Sequence, residues 1–157
     1  AKLYEASANG VRIDLIVRGI CTLRPGIAGV SDNITVRSIV GRFLEHHRLF
    51  YFRNGGNEKI FLSSADWMPR NLNERVELMI PIEDKRHKAR IKGILDLYLV
   101  DTLKAHLMRS DGSYYKVSNI EGPLSAQEEL MEAANTQDSR EQMTVIERFK
   151  PMFKMKE

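Results

Sequence analysis

The chain has 157 residues, of which 43% are hydrophobic, and it carries a formal net charge of +3. This length fits one domain, or one domain and a tail, with enough apolar residues for its own core. The small net charge does not predict general affinity for nucleic acid. The single cysteine, Cys21, excludes an intrachain disulfide and a cysteine-rich metal site, and the apolar residues around it predict a buried, inert thiol.

The first residues predict a helix and then a strand. The chain opens without methionine on the helical pattern AKLYEASA, which predicts a segment of a longer polypeptide in which residues 1–10 end a preceding domain or form a linking helix. Residues 11–17 alternate and then become fully apolar, which is typical of a strand inside a sheet. Arg18 follows this strand, where open α/β sheets place ligand groups. An anion-binding role for Arg18 therefore competes with a surface ion pair to Asp14 or Asp32.

The middle of the chain predicts a helix followed by a β-hairpin. After a loop over residues 20–29, apolar residues recur at helical spacing, so we expect a helix over residues 33–47 that carries His46 at its end. Strands are predicted over residues 48–52 and 59–63, because the sequence NGGN between them is a strong hairpin turn. The later elements are a helical turn from Pro69, a strand over 75–82, a helix over 84–102, a hairpin of 105–109 with 114–117, and a helix or partly ordered tail after Pro123.

Residue types that bind and protonate phosphate gather between positions 45 and 77. Arginine presents a planar fork of donors that fits phosphoryl oxygens, and histidine is easily charged or discharged near neutral pH. Small hydroxyl residues let backbone amides approach an anion closely. The candidates are His46, His47, Arg48, Ser63, Ser64, Asp66, Arg70, Asn71, Arg75 and Glu77.

Each of these candidates also has a structural interpretation. A histidine at a helix end is often a cap or a surface group, and serine or aspartate after a strand often caps a short helix. Asp66 is expected to orient His46 or Arg70, and the charged cluster at 70–77 is interpreted as support for the site rather than direct contact. Trp67 is predicted to fill the core. The spacing of the histidines does not predict a metal site, and the basic run over 85–92 is typical of a solvated helix face.

The triplet His46-x-Arg48 and the downstream run SSAD resemble one half of a phospholipase-D-like site. The pattern in that superfamily is His-x-Lys with a later Gly-Ser-x-Asn; two such halves face each other, and one histidine attacks phosphorus. This sequence departs from the pattern in three ways. Arg48 replaces the lysine, the aspartate expected after it is missing, and Asp66 stands where the pattern has asparagine.

Longer segments resemble one family within that superfamily. The segments LYEASANGVRIDLIVRGICTL, GVSDNITVRSIVGRFLEHHR and NGGNEKIFLSSADWMPRNLNERVE are similar, in this order, to the C-terminal catalytic domain of bacterial polyphosphate kinases. The helical segment up to Met108 fits as well. The resemblance implies an α/β, phospholipase-D-like domain over residues 11–122, with a mixed β-sheet flanked by helices, between a leading segment over 1–10 and a tail over 123–157.

The resemblance also implies an activity. The family reversibly transfers the terminal phosphate of ATP to polyphosphate, with Mg²⁺ and through a phosphohistidine, and both the phosphohistidine and the Mg²⁺ ligands are expected outside this chain, which alone is expected to be inactive. Arg18 and His46 match the arginine and histidine that contact nucleotide phosphates in the family, and His46 is also the expected general acid. The expected supporting residues are Arg48, Ser63, Ser64, Asp66, Arg70 and Asn71.

The implied partners are ATP, inorganic polyphosphate and the rest of a polyphosphate kinase chain. The full enzyme is expected to be a homo-oligomer, and nucleic acid is not an expected partner. The lack of a signal peptide and of a long apolar span favours the cytoplasm, and membrane association of the full enzyme is left open. Two other functions are alternatives: a phosphodiester-processing phospholipase-D-like enzyme, which would favour lysine at position 48, and a non-enzymatic polyanion-binding module.

Overall fold

A computed structural model describes residues 1–117 and 122–135. The chain divides into two compact units: unit 1 comprises Ala1–Phe43 and Leu97–Glu157, and unit 2 comprises Leu44–Asp96. Each unit has a β-sheet of its own, so the predicted α/β class is confirmed. Within the described ranges, no helix has both the length and the apolar character needed to cross a membrane.

Unit 1 contains a mixed sheet. Its described elements are α1 (Lys2–Ala8), β1 (Ile13–Ile16), β2 (Ile34–Ile39), β6 (Ala105–Met108), β7 (Tyr114–Lys116) and α4 (Ala126–Asn135). The strand order is β1-β2-β6-β7. Strands β1 and β2 are parallel, whereas β2 with β6 and β6 with β7 are antiparallel. The predicted strand over 11–17 and the hairpin of 105–109 with 114–117 are therefore confirmed, with shorter strands.

The core of unit 1 packs the first helix against the sheet. Ile34, Val36 and Met108 are buried, and Leu3 of α1 packs against this cluster. Helix α1 is also tied to the start of β2, because Ser7 Oγ accepts the backbone N–H of Asn33 at 3.1 Å and the Ser7 carbonyl accepts Asn33 Nδ2 at 2.9 Å. Cys21 is a free thiol that is half-buried beside this core, so the predicted burial of the thiol is only partial.

The helix predicted over residues 33–47 is wrong. Residues Ile34–Ile39 form strand β2, and the residues from Val40 to His47 are irregular. Ile34 and Val36 also alternate with Thr35, so a two-residue period fits the same apolar residues. β-Branched side chains favour strands over helices, and parallel pairing with β1 stabilises the extended form. His46 therefore lies in an irregular segment before a strand, not at a helix end.

Unit 2 is built on an antiparallel sheet. Strands β3 (Arg48–Phe52), β4 (Lys59–Ser63) and β5 (Met79–Ile82) lie in this order, and a short helix, α2, covers Pro69–Asn73. The predicted hairpin is confirmed with its bounds, and α2 begins at the predicted proline. Strand β5 is shorter than the predicted 75–82. Asn54, Gly55 and Gly56 have φ of 47°, 62° and 95° in the turn, a left-handed region that asparagine and glycine tolerate.

Helix α3 (Lys85–Val100) confirms the long helix predicted over 84–102. Asp84 caps it, since its Oδ1 accepts the N–H groups of Arg86 and His87 at 2.9 and 3.0 Å, and these bonds lower the pKa of Asp84. The sequence after Pro123 predicted a helix or a partly ordered tail, and a helix, α4 (Ala126–Asn135), is observed there. The residues after 135 lie outside the described part of the chain. The division into 1–10, 11–122 and 123–157 stays a prediction.

Asp101 joins the end of α3 to the next elements of unit 1. Its side chain is fully buried. Oδ1 accepts the backbone N–H groups of Lys104 and Ala105 at 2.8 and 3.0 Å, and Oδ2 accepts that of Ala126 at 2.8 Å. The Asp101 carbonyl also accepts Arg37 Nη1 at 2.7 Å. One carboxylate thus fixes the starts of β6 and α4 and compensates its own burial with these bonds.

Candidate active site

Arg48 lies between His46 and Asp66 in unit 2. Its Nε and Nη2 are each 2.9 Å from Asp66 Oδ1. On the His46 side, Nη1 donates to the backbone carbonyl at 2.8 Å, and Nη1 and Nη2 lie 3.1 and 3.2 Å from Nδ1 and Nε2 of the ring. The hydrogen bond to Asp66 is the main reason that the pKa of Arg48 is raised. The guanidinium therefore links a carboxylate to an imidazole.

The two short distances between the Arg48 and His46 side chains need different explanations. A neutral imidazole has one acceptor nitrogen, and a guanidinium has only donors. Only one of the two approaches can therefore be a hydrogen bond. The other is a close contact between the guanidinium and the ring without a hydrogen bond. Together with the bond to the His46 carbonyl, this arrangement restrains both the backbone and the ring of His46.

The β3–β4 hairpin explains why residues 46 and 66 meet. Arg48 is the first residue of β3, and its partner in the ladder is Ser63, the last residue of β4. The residues before β3 and after β4 therefore leave the sheet at the same end. Asp66 follows Ser63 by three residues, which places its carboxylate within reach of Arg48. The hairpin predicted from the sequence is thus the feature that assembles this part of the site.

Ser64, Asn71 and Glu77 form a second hydrogen-bonded group in unit 2. Ser64 Oγ donates a short hydrogen bond to Glu77 Oε2, and Asn71 Nδ2 donates to Glu77 Oε1 at 2.8 Å. Ser64 Oγ also accepts the N–H of Leu78 at 3.0 Å. The bond from Ser64, and then the bond from Asn71, hold the pKa of Glu77 below its ordinary value of 4.5. Ser64 and Asn71 therefore hold the Glu77 carboxylate, and their supporting role in a site stays a prediction.

Ser63 is also engaged within the fold. Its hydroxyl donates to the Leu78 carbonyl at 3.1 Å and accepts the N–H of Ala65 at 3.1 Å.

Asn71 is 4% exposed, and its Oδ1 has no hydrogen-bond partner among the described atoms. Arg70 is exposed on the first turn of α2. Trp67 is 60% exposed and stacks on Phe50 with ring centroids 5.5 Å apart, so its prediction as a core residue is wrong.

Arg18 belongs to unit 1, whereas the other predicted site residues belong to unit 2. It is exposed, two residues after the end of β1, and its carbonyl accepts Ser38 Oγ at 3.3 Å. The two acidic residues considered as its ion-pair partners have other contacts. Asp14 binds Arg12 at 3.0 Å, and Asp32 accepts the N–H of Gly29 at 2.6 Å.

Arg48 was predicted as a phosphate-binding candidate and a supporting residue, but its contact with His46 was not predicted. The sequence did contain a signal, since an arginine that begins one strand of a hairpin faces the end of the other, and the acidic Asp66 lies just beyond it. His47 is exposed beside His46. Across residues 1–117 and 122–135, no three His, Cys, Asp or Glu side chains are grouped as metal ligands.

The α/β fold, with one sheet in each unit, is that of the phospholipase-D-like class. A family model described as "Polyphosphate kinase C-terminal domain 2" matches residues 1–127. The polyphosphate kinase of Pseudomonas aeruginosa is 56% identical over 132 residues, which are 83% of this chain and 19% of that protein. The polyphosphate kinase of Paraburkholderia phytofirmans is 61% identical over 116 residues, which are 73% of this chain and 17% of that protein.

A solved structure gives the same result. The crystal structure of polyphosphate kinase from Porphyromonas gingivalis aligns with a TM-score of 0.83 and 41% identity, over 91% of this chain and 22% of that one. The chain belongs to the polyphosphate kinase family, as a C-terminal domain. It spans about a fifth of the length of the relatives that it matches, as the 19% and 22% coverages indicate.

Proposed function

We propose that this chain is the part of a polyphosphate kinase that binds phosphate groups and supplies a proton during transfer of the terminal phosphate of ATP to polyphosphate. The transfer is reversible and passes through a phosphohistidine that another part of the enzyme carries. The observation that carries this proposal is the family match over residues 1–127, which includes both Arg18 and His46.

His46 is the proposed general acid. Its side chain is exposed, and Arg48 restrains its ring, so it is accessible to a substrate and held in one orientation. Phosphoryl transfer depends mainly on positioning and on stabilising charge at the phosphoryl oxygens. A proton from an imidazole to a leaving or entering phosphate oxygen lowers the barrier further, because histidine titrates near neutral pH.

Arg18 is the proposed anchor for a nucleotide or polyphosphate phosphate. It is exposed beyond the end of β1, at a position typical of ligand-binding groups in α/β sheets. Its guanidinium matches two phosphoryl oxygens at once. Its carbonyl is fixed by Ser38, which limits the movement of the backbone that carries it.

Mg²⁺ is part of the proposed reaction, but no step is assigned to it on this chain. The described residues bring no three acidic, histidine or cysteine side chains together as a metal site. Mg²⁺ in phosphoryl-transfer enzymes is held largely by substrate phosphates and water, with one or two carboxylates. Its protein ligands are proposed to lie on the rest of the polyphosphate kinase chain, as the family resemblance implies. The full enzyme is proposed to be a homo-oligomer in the cytoplasm, with membrane association left open.

A binding experiment tests the proposal. The chain is titrated with a fluorescent ATP analogue, and the bound analogue is displaced with ATP, polyphosphate or duplex DNA. We expect displacement by ATP and polyphosphate but not by DNA, and weaker binding for Arg18→Ala. The matched control is Arg12→Ala, an exposed arginine of the same unit. Equal displacement by DNA would favour a general polyanion-binding module, and unchanged binding in the Arg18 variant would remove that residue from the site.

A further inference from the structure

We propose that Asp66 is a positioning residue for His46 and that it acts through Arg48. The carboxylate holds the guanidinium at Nε and Nη2, both at 2.9 Å. The guanidinium holds His46 by its carbonyl at 2.8 Å and by its ring at 3.1 and 3.2 Å. This inference rests on the proposed function, because it assigns a role to Asp66 and Arg48 in the orientation of the proposed general acid.

The exposure of the Asp66 side chain favours orientation over fold stability as the purpose of the Asp66–Arg48 pair. The Arg48 side chain is 19% exposed and that of Asp66 is 46% exposed. Water reaches the Asp66 carboxylate and screens its charge, so this ion pair contributes less to stability than a fully buried one would. The pair does, however, fix the guanidinium, whose Nη1 and Nη2 lie 3.1 and 3.2 Å from the two ring nitrogens of His46.

The chemistry of arginine suits this role. A guanidinium has no acceptor and stays protonated, so Arg48 cannot take the proton that His46 is proposed to donate. The ring of His46 accepts a hydrogen bond from Arg48 only while it is neutral; in the protonated acid both ring nitrogens are donors, and Arg48 then holds His46 through the backbone carbonyl at 2.8 Å. Its planar shape also restrains a ring over an area rather than at one point, which a lysine ammonium cannot do. Catalysis by a positioned acid is sensitive to orientation, and a displacement of about 1 Å costs roughly 100-fold in rate. Loss of Asp66 would release the guanidinium and, with it, the ring.

The first test needs no activity. The imidazole signals of the four histidines are recorded by two-dimensional NMR in this chain and in Asp66→Asn, which keeps the shape of the side chain and removes its charge. We expect the His46 signals to shift or broaden, while those of His87 and His106 stay unchanged. The matched control is Asp96→Asn, which breaks an ion pair to Lys92 of 2.7 Å in the same unit. Unchanged His46 signals in the Asp66 variant would overturn the inference.

The second test uses a full-length polyphosphate kinase that carries this domain. Asp66→Asn should lower kcat about 10- to 100-fold with little change in the KM for ATP. Arg48→Lys should have the same effect, because the lysine ammonium is a point charge and lacks the planar guanidinium that contacts both Asp66 and His46. In the background of His46→Ala, neither substitution should reduce kcat further, because there is no ring left to position. Equal losses with and without His46 would show that Asp66 acts independently, and this result would also overturn the inference.

The two tests separate this inference from the proposed function. If His46→Ala retains full activity, the proposed acid role fails, while the NMR comparison still decides whether Asp66 orients the ring. If His46→Ala is slow but Asp66→Asn is fully active and leaves the His46 signals unchanged, the acid role stands and the positioning role fails. Circular dichroism identifies a misfolded variant; if Asp66→Asn is misfolded, Arg48→Lys gives the same comparison.

Discussion

Asn71 donates a hydrogen bond from Nδ2 to Glu77 Oε1 at 2.8 Å, which links helix α2 to the segment that precedes β5. Ser64 donates to the other carboxylate oxygen. Both donors stabilise the ionised form of Glu77, so its pKa is lower in the folded chain than its ordinary value of 4.5. This group of three residues makes part of the stability of unit 2 dependent on pH.

The sign of this dependence follows from the direction of the pKa shift. A carboxyl group with a lowered folded-state pKa stabilises the folded chain above its unfolded pKa, and this contribution is lost as the pH falls through the folded value. We therefore expect Glu77→Gln to lower the free energy of unfolding at pH 7 and to have a smaller effect as the pH falls below 4.5. Urea denaturation of both proteins at several pH values measures this difference in the free energy of unfolding. A difference that stays constant down to pH 3 would contradict the assignment, and Ser64→Ala should reduce the same pH dependence.

Removal of the Asp101 carboxylate should destabilise unit 1 strongly. In Asp101→Ala the buried N–H groups of Ala105 and Ala126 lose their acceptor. Since each buried donor without a partner costs about 1–3 kcal/mol, the two together predict a loss of roughly 2–6 kcal/mol in the free energy of unfolding. Urea denaturation followed by circular dichroism measures this loss. The control is Asp96→Ala, which removes a partly exposed ion pair and should cost at most about 1 kcal/mol. Similar losses in both variants would argue against Asp101 as an anchor.

The sequence predicted local elements better than it predicted contacts between them. The bounds of β3 and β4 were predicted correctly. The turn between them needs residues that tolerate positive φ, and the sequence NGGN supplies such residues and so marks where one strand ends and the next begins. The helix over 33–47 was wrong because Ile34 and Val36 fit a period of two as well as a helical one, and only pairing with β1 decides between them. Local patterns do not contain that long-range information.

The same limit applies to the site. His46, Arg48 and Asp66 were identified as candidates by residue type, but their connection depends on the pairing of Arg48 with Ser63 across the hairpin. Trp67 was assigned to the core because large aromatic residues are usually buried, whereas it is 60% exposed and stacks on Phe50 at the surface of unit 2. Burial depends on which face of an element finds a partner, and one sequence does not specify this.

Arg18→Ala in a full-length polyphosphate kinase should lower turnover while the fold stays intact. A charge-assisted contact to phosphate contributes roughly 1.5–3 kcal/mol, or about tenfold to a hundredfold in rate. Arg18→Lys should recover only part of this, because it keeps the charge but loses the fork. Steady-state rates with ATP measure the effect. An unfolded Ala variant by circular dichroism would show that Arg18 is a structural residue.

This chain alone should not synthesise polyphosphate. The proposed nucleophile is a histidine on another part of the enzyme, and His46 is proposed to donate a proton rather than to accept the phosphoryl group. The chain is incubated with ATP and Mg²⁺, and polymer is sought by gel staining. A full-length polyphosphate kinase under the same conditions is the positive control. Polymer from the chain alone would mean that His46 or His47 is itself the nucleophile.

His46 and His47 are adjacent and both exposed, and Arg48 restrains His46 through its ring and its carbonyl. In a full-length enzyme we expect His46→Ala to slow transfer by about 10²–10⁴-fold, the usual contribution of a positioned general acid, while the nucleophilic histidine can still be phosphorylated. His47→Ala should be nearly silent. The measurements are labelling with γ-phosphate-labelled ATP and the pH dependence of synthesis. An inactive His47 variant beside an active His46 variant would reverse the assignment. Equal losses in both would indicate that this segment has a structural role, since neither histidine would then be a specific proton donor.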